Sequence, residues 1–312
     1  MSESNKKTVL VTGALGHIGS RLIRNLDKDK IEGVRLLDNL ESQRYASLFN
    51  LPSDPNYEFI ESDIREADFE KVLSGVDAVV HLAALTDAAN STGRAQEVMS
   101  VNLEGLKRVA KACEELQIPL LFPSTTSVYG SQESRVDETC TELKPQSPYA
   151  ESKLLAEQYL QSRAGTLRFV ICRFGTIFGP SVGMRFHTAV NKFIWQAVTK
   201  QPITVWKTAW EQKRPYLDLS DCVSAVNHIL NNQIFDGEIY NVVTNNYTVK
   251  QVVETIQKFV PDCNVTFVDS AIMNQLSYEI DGKKFSARGF NPKGDLEKGV
   301  KDTVVLMRNL IT

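Results

Sequence analysis

The chain has 312 residues, 42% hydrophobic and 23% charged, the composition of a folded globular protein with material for one large core or two smaller ones. Its formal net charge of −3 gives no electrostatic reason to expect nucleic acid or an acidic membrane as a partner. Five scattered cysteines (Cys113, Cys140, Cys172, Cys222 and Cys263) form no C-x-x-C pair, so a reduced, cytoplasmic setting without disulfide framework or metal site is expected.

The polar start, Met1 to Lys7, leads directly into an apolar strand over Thr8–Thr12. Nothing in it resembles a leader, and no apolar stretch approaches the roughly 18 residues of a membrane span. Further strands are expected at Val34–Leu37, Tyr57–Glu61, Ala78–Ala84 and Leu120–Ser124, with helices over 17–27, 66–74 and about 93–117 between them. Near-continuous apolar strands alternating with helices imply an α/β fold, a doubly wound Rossmann-type parallel sheet covered on both faces. Ser147-Pro148 suits a helix start, with serine as cap and proline in the first turn, and the strand Phe169–Arg173 follows.

Beyond about residue 180 the pattern loosens. Helices are expected near 186–199, 220–231 and 248–259, with a polar loop over 206–215 that contains Trp206 and Trp210. We therefore expect an α/β domain over 1–180 and a smaller lobe over 181–312, interwoven because no low-complexity linker separates them. Trp195 reads as helix core, and the two loop tryptophans read as lobe packing or as a platform for a nucleobase.

TGALGHIGS, residues 12–20, places Gly13, Gly16 and Gly19 where the first strand becomes a helix. Glycines there allow a tight turn, close approach of a pyrophosphate to the backbone, and close packing of helix on strand. The spacing is G-x-x-G-x-x-G rather than G-x-G-x-x-G. Asp38 closes the second strand 19 residues after Gly19, where an acid suits the ribose 2′-hydroxyl and repels a 2′-phosphate, so NAD is favoured over NADP. Asp63 ends the third strand and could accept from an adenine amino group. His17 and His81 lack a paired acid nearby and read as packing or hydrogen-bonding residues. In SPYAESK, Tyr149 and Lys153 stand four apart on one helical face. A tyrosine near pKa 10 is a poor base, and a lysine one turn away favours its phenolate.

The motifs TGALGHIG, LLDNL, SDI, HLAA, VNLEG, PSTTSVYG, YAESK, RFGTIFGP and RPYLDLSD occur in this order, and DGKKFSARGFNPKGDLEKGV follows them. Together they resemble the extended short-chain dehydrogenase/reductases of the NAD-dependent nucleotide-sugar epimerase/dehydratase group. The resemblance implies a cofactor site of Gly13, Gly16, His17, Ile18, Gly19, Asp38, Asn39, Asp63, Ile64, Leu82, Ala83, Ala84, Leu85 and Asn102. It implies Tyr149 as acid/base, Lys153 as its tuning group and nicotinamide-ribose ligand, and Thr125 beside the tyrosine. Thr126, Ser127, Thr176, Arg185 and Arg214 would meet the sugar nucleotide, with Arg214 on the diphosphate. It also implies a homodimer through the 93–117 and Tyr149 helices.

Family 4,6-dehydratases carry an Asp-Glu pair directly after the threonine, where this chain has Thr126 and Ser127. The Cys/His pair of epimerase-reductases is also missing. What remains suits reversible oxidation at C4, so a nucleotide-sugar 4-epimerase, of the UDP-glucose/galactose or UDP-glucuronate type, is the leading reading. Thr176 in place of the asparagine of galactose-type enzymes resembles the glucuronate type, where Arg185 could meet a C6 carboxylate. A dehydratase, a 4-ketoreductase and a non-catalytic NAD-sensing protein stand as alternatives.

Overall fold

The computed structural model describes residues 6–87, 91–269 and 277–310; the polar start over residues 1–5 lies outside them. Strand β1 (Lys7–Thr12) sits near the middle of a seven-stranded, all-parallel sheet. β2 (Ile31–Asp38) and β3 (Asn56–Glu61) extend it on one side. β4 (Ala78–His81), β5 (Leu120–Thr125) and β6 (Phe169–Phe174) extend it on the other. Because both faces are covered, consecutive residues Val9, Leu10 and Val11 are all fully buried, which is why the strand reads as an unbroken apolar run.

Helix α1 (His17–Leu22) stops well short of the expected residue 27. Asn25 bonds back to the Arg21 carbonyl, and Asn227, on a distant helix, ties down the Asn25 carbonyl and the Asp27 amide. Short polar side chains that capture backbone groups compete with helix continuation. Likewise α2 spans only Phe69–Val72, capped by Asp68.

The expected helix over 93–117 is a composite of α3 (Ala95–Met99), a π-helical turn at Ser100–Glu104 and α4 (Gly105–Glu115). α5 (Pro148–Gln161) begins as the sequence suggests, with the Ser147 hydroxyl accepting from the Ala150 amide. α2, α4 and α5 cover one sheet face through Leu10, Leu106, Val109 and Leu160.

The later part is richer in strands than its sequence suggests. β7 (Thr176–Phe178), α6 (Ala189–Val198), β8 (Ile203–Trp206), β9 (Lys213–Asp218) and α7 (Leu219–Asn232) follow in order. The expected 206–215 loop is thus mostly the end of one strand, a short 3₁₀ turn and the start of another. β10 (Ile239–Val242) returns to the large sheet and pairs parallel with β6. α7 packs beside α1 in the core of the second sheet face, through Cys222, Val226 and Ile229. β11 (Asn245–Thr248) pairs antiparallel with β9, and α8 (Val249–Gln257) opens with a complete capping box between Thr248 and Gln251. β12 (Val265–Val268), α9 (Lys283–Ser286) and α10 (Leu296–Leu306) follow, and a 3₁₀ turn over Arg308–Leu310 ends the described chain. α6, α8 and α10 enclose a separate core with Phe193, Ile194, Val252 and Val300. Trp195, Trp206 and Trp210 are part-buried against that core, and Trp210 meets Phe267 edge-on at 5.2 Å between ring centres.

Candidate active site

The carboxyl ends of the parallel strands converge on one crevice, the usual ligand position in an open α/β sheet. β1 delivers the glycine turn there. Gly13 has φ +65°, and a Cβ on it would lie 2.6 Å from the Ala83 amide nitrogen. A Cβ on Gly19 would lie 2.5 Å from the Ala14 carbonyl. These two glycines are therefore required by close approach of backbone to backbone. Gly16 is less crowded: a Cβ there would meet the Gly13 carbonyl at 3.3 Å, a tight contact, and the Arg44 Nη1 at 4.0 Å, so the Arg44 guanidinium stands over this side of the turn.

At the end of β2, Asp38 accepts from the Leu15 amide and from the Leu40 amide, both at 3.0 Å. It thereby fixes the turn while keeping lone pairs for a ribose hydroxyl. Asp63 is more heavily engaged, since Arg65 donates its backbone amide, Nε and Nη2 to it, and Asn39 donates Nδ2. Arg65 first, and Asn39 with it, pull the Asp63 carboxyl down to about 2. Four donors fill a carboxylate, so an adenine amino group would have to displace one. Ile64 is buried and packs its side chain on Gly105, leaving its backbone for a ligand. Ile18 is part-buried against the core below α1. His17 bonds through Nε2 to the Gly179 carbonyl at 2.9 Å, joining the glycine turn to the segment after β7.

The expected strand over Ala78–Ala84 ends at His81, and residues 82–85 leave the sheet to form the next wall of the site. Leu82 is tied to the Thr12 carbonyl and Ala83 to the Thr12 hydroxyl; Ala84 follows, part-buried. Leu85 is held on both sides by Asn102, whose Oδ1 accepts its amide at 2.8 Å and whose Nδ2 donates to its carbonyl at 3.0 Å. The π-helical turn, which widens the helix at Asn102, lets the same Nδ2 reach Ser152 on α5.

His81 itself is fully enclosed, with Nδ1 at 2.9 Å from the Thr12 hydroxyl. Burial, and then the charge of Lys153, push its imidazole down to about 3. Below pH 6.5 the unfolded chain would bind a proton that the folded chain refuses, so stability falls as pH drops from 6.5 towards 3, by about 1.4 kcal/mol per unit. The expected result in urea unfolding is a shallower loss of stability between pH 7 and 5 for His81→Gln than for the native chain; equal slopes would refute it.

α5 carries the Tyr149–Lys153 pair. Tyr149 lies within hydrogen-bonding reach of Thr125, and Lys153 donates from Nζ to the Pro123 carbonyl at 2.8 Å while lying 4.5 Å from the centre of the Phe122 ring. Burial pushes the tyrosine up to about 12, against the Thr125 hydrogen bond and the Arg185 charge. Burial also pulls the lysine down to about 7 despite the nearby Glu157 carboxylate. The sequence suggests a lysine-stabilised phenolate; the enclosed crevice by itself favours two neutral groups, because it withholds solvation from either charge.

Thr125 ends β5 and accepts from the Ser127 amide at 3.2 Å. Thr126 lies 3.3 Å from the Tyr278 hydroxyl, a partner 152 residues away that the sequence gives no means of finding. Arg214, at the start of β9, has a buried Nε without a partner among the described residues, as does the Tyr216 hydroxyl on the same strand. Such buried donors await an acceptor. Thr176 opens β7, part-buried, and Arg185 donates to the Thr86 hydroxyl at 2.7 Å and is a positive neighbour of Tyr149. The carboxyl ends of β1, β2, β4 and β5 thus bring together the glycine turn, Asp38, the 82–85 wall and the Thr125–Tyr149–Lys153 group, with Arg185 a charged neighbour of both Asp38 and Tyr149, while Arg214 is a charged neighbour of Tyr278, the partner of Thr126. Asp63 and Ile64 mark the outer end of the site at β3.

A family model described as the NAD dependent epimerase/dehydratase family matches residues 9–242. An uncharacterised UDP-glucose epimerase of Bacillus subtilis is 34% identical over 243 residues, 75% of this chain and 76% of that protein. A dTDP-D-glucose 4,6-dehydratase of Bos taurus is 31% identical over 321 residues, 97% of this chain and 89% of that protein. Among solved structures, the UDP-glucuronic acid 4-epimerase of Bacillus cereus, in complex with UDP-glucuronic acid and NAD, superposes with a TM-score of 0.89 at 25% identity, covering 97% of this chain and 99% of its own. The UDP-N-acetylglucosamine 4-epimerase of Methanobrevibacter ruminantium gives 0.88 at 26% identity, with coverage of 97% and 99%.

Proposed function

This chain belongs to the NAD-dependent epimerase/dehydratase family, and we propose that within it the protein is a nucleotide-sugar 4-epimerase, with a UDP-sugar as substrate. The observation that carries the reading is the neighbourhood of Tyr149. The two positions after Thr125 are hydroxyls, Thr126 and Ser127, and Thr126 is engaged by the phenol of Tyr278. Hydroxyls at neutral pH cannot remove a C5 proton and protonate a C6 leaving oxygen, as dehydration requires. Similarity to both epimerases and dehydratases leaves this local chemistry to decide between them.

In this reading Asp38 holds the adenosine ribose, and the Gly16 face of the turn receives the dinucleotide pyrophosphate. The bound NAD supplies reversible hydride chemistry at C4. Tyr149 takes the C4 hydroxyl proton and later returns it, Thr125 orients the phenol, and Lys153 offsets the developing phenolate charge. Arg214, with its unpartnered Nε, meets the sugar-nucleotide diphosphate. Arg185 offers a cation close to Tyr149, which supports a sugar carrying a C6 carboxylate, as in the UDP-glucuronic acid 4-epimerase. We place the enzyme in the cytoplasm as a dimer paired through α3, α4 and α5.

The test is incubation with UDP-, TDP-, GDP- and CDP-sugars, followed by NMR at the sugar C4 position. The expected result is interconversion of C4 epimers, fastest with a UDP-sugar and without net change in NADH. Accumulation of a 4-keto-6-deoxy sugar, or stoichiometric NADH, would overturn the proposal.

A further inference from the structure

We infer that Arg44 is a phosphate ligand of the bound dinucleotide, reaching across Gly16 to its pyrophosphate. No motif in the sequence singles out this residue. It lies just beyond β2, at the start of a 3₁₀ turn over Tyr45–Leu48, in a segment clasped to the glycine turn. The buried Ser47 hydroxyl donates to the Leu15 carbonyl at 2.9 Å, the Ser47 amide bonds to the Arg44 carbonyl, and the Leu40 amide is held by Asp38. The backbone carrying Arg44 is thus fixed at both ends relative to Gly16.

Its side chain reaches the glycine turn. Nη1 is buried, lies 4.0 Å from where a Gly16 Cβ would stand, and has no hydrogen-bond partner among the described residues. A guanidinium N–H withdrawn from water without an acceptor is costly, and it persists where a ligand completes it. The surrounding charge has the same sense. Arg185, His17 and His187 all feel Arg44 or one another as unfavourable positive neighbours. Burial first, and then Arg185, pull the Arg44 guanidinium down to about 10, against the opposing charge of Asp38. Two guanidiniums, those of Arg44 and Arg185, therefore stand close together at this end of the site, and a planar guanidinium with an N–H to spare matches phosphate oxygens bidentately.

The inference rests on the cofactor class of the family and not on which sugar reacts, so binding tests it independently of epimerisation. The native protein, Arg44→Gln, Arg44→Lys and the surface control Arg21→Gln would be titrated calorimetrically with NAD, ADP and NADP, with melting temperatures recorded to verify folding. We expect Arg44→Gln to weaken NAD and ADP by about tenfold to a hundredfold, Arg44→Lys to recover part of that loss, and Arg21→Gln to match the native protein. The NADP affinity of Arg44→Gln should fall by the same factor as that of NAD. Unchanged NAD and ADP binding in Arg44→Gln would overturn the assignment. A loss confined to NADP would overturn it as well, because the guanidinium would then face a ribose 2′-phosphate. Native-like NAD binding in Arg44→Gln alongside normal epimerisation would sink this inference and leave the proposed activity standing.

Discussion

Replacing Tyr149 by phenylalanine is expected to slow C4 epimerisation by about 10²–10⁴-fold while changing sugar-nucleotide affinity by no more than about twofold. The ring and its packing stay, and what is lost is the hydroxyl proposed as the proton acceptor. The crevice sharpens this expectation. With the Tyr149 phenol pushed up to about 12 and the Lys153 ammonium drawn down to about 7, neither group is a strong actor alone. A phenolate forms there only when positive charge is brought close, so both residues must be present. Lys153→Met should accordingly be at least as damaging, whereas Thr125→Ala, which only misorients the hydroxyl, should be milder. Rates would be followed by NMR at saturating sugar nucleotide. Near-native turnover in Tyr149→Phe would mean that another group is the base.

The largest effect on stability is expected from Glu157, two turns beyond Tyr149 on the same face of α5. Its side chain is 1% exposed and pairs with Arg173 of β6, itself 3% exposed, at 2.6 Å. The Ser124 hydroxyl also donates to Glu157, and the Arg173 guanidinium lies 4.7 Å from the centre of the Tyr129 ring. Removing one partner of such a pair strands the other charge in the core, at a cost of about 3–5 kcal/mol. Urea unfolding of Glu157→Ala should show a loss of that size. The double variant Glu157→Met/Arg173→Met should recover most of it, because the cost comes from the unpaired charge. A loss in Glu157→Ala below about 1 kcal/mol would show that Arg173 finds another acceptor.

The legible and illegible parts of this chain divide along physical lines. Strands β1 to β6 announce themselves because sheets covered on both faces need continuous apolar runs, and the boundaries read from sequence differ from the observed ones by a few residues at most. The Tyr149–Lys153 pair is legible because helical spacing alone puts both on one face. What the sequence hides is whatever depends on distant partners. Helix α1 ends early because of Asn227, and the 93–117 helix swells at Asn102 to hold Leu85. Strands β7 to β12 are three to six residues long, too short for a period to show. Tyr278 and Arg44 carry no motif, and only the folded chain brings one to Thr126 and the other to Gly16.

The pairing of β10 with β6 has a consequence for how the chain must be made. During synthesis β6 emerges long before its outer neighbour, and until Ile239–Val242 arrives, the Phe169–Phe174 edge offers unpaired amides and carbonyls along a fully buried-type sequence. Such an edge is a template for pairing with another chain. The nascent protein therefore carries an open apolar edge throughout the interval between those two strands, and the arrival of β10 closes it.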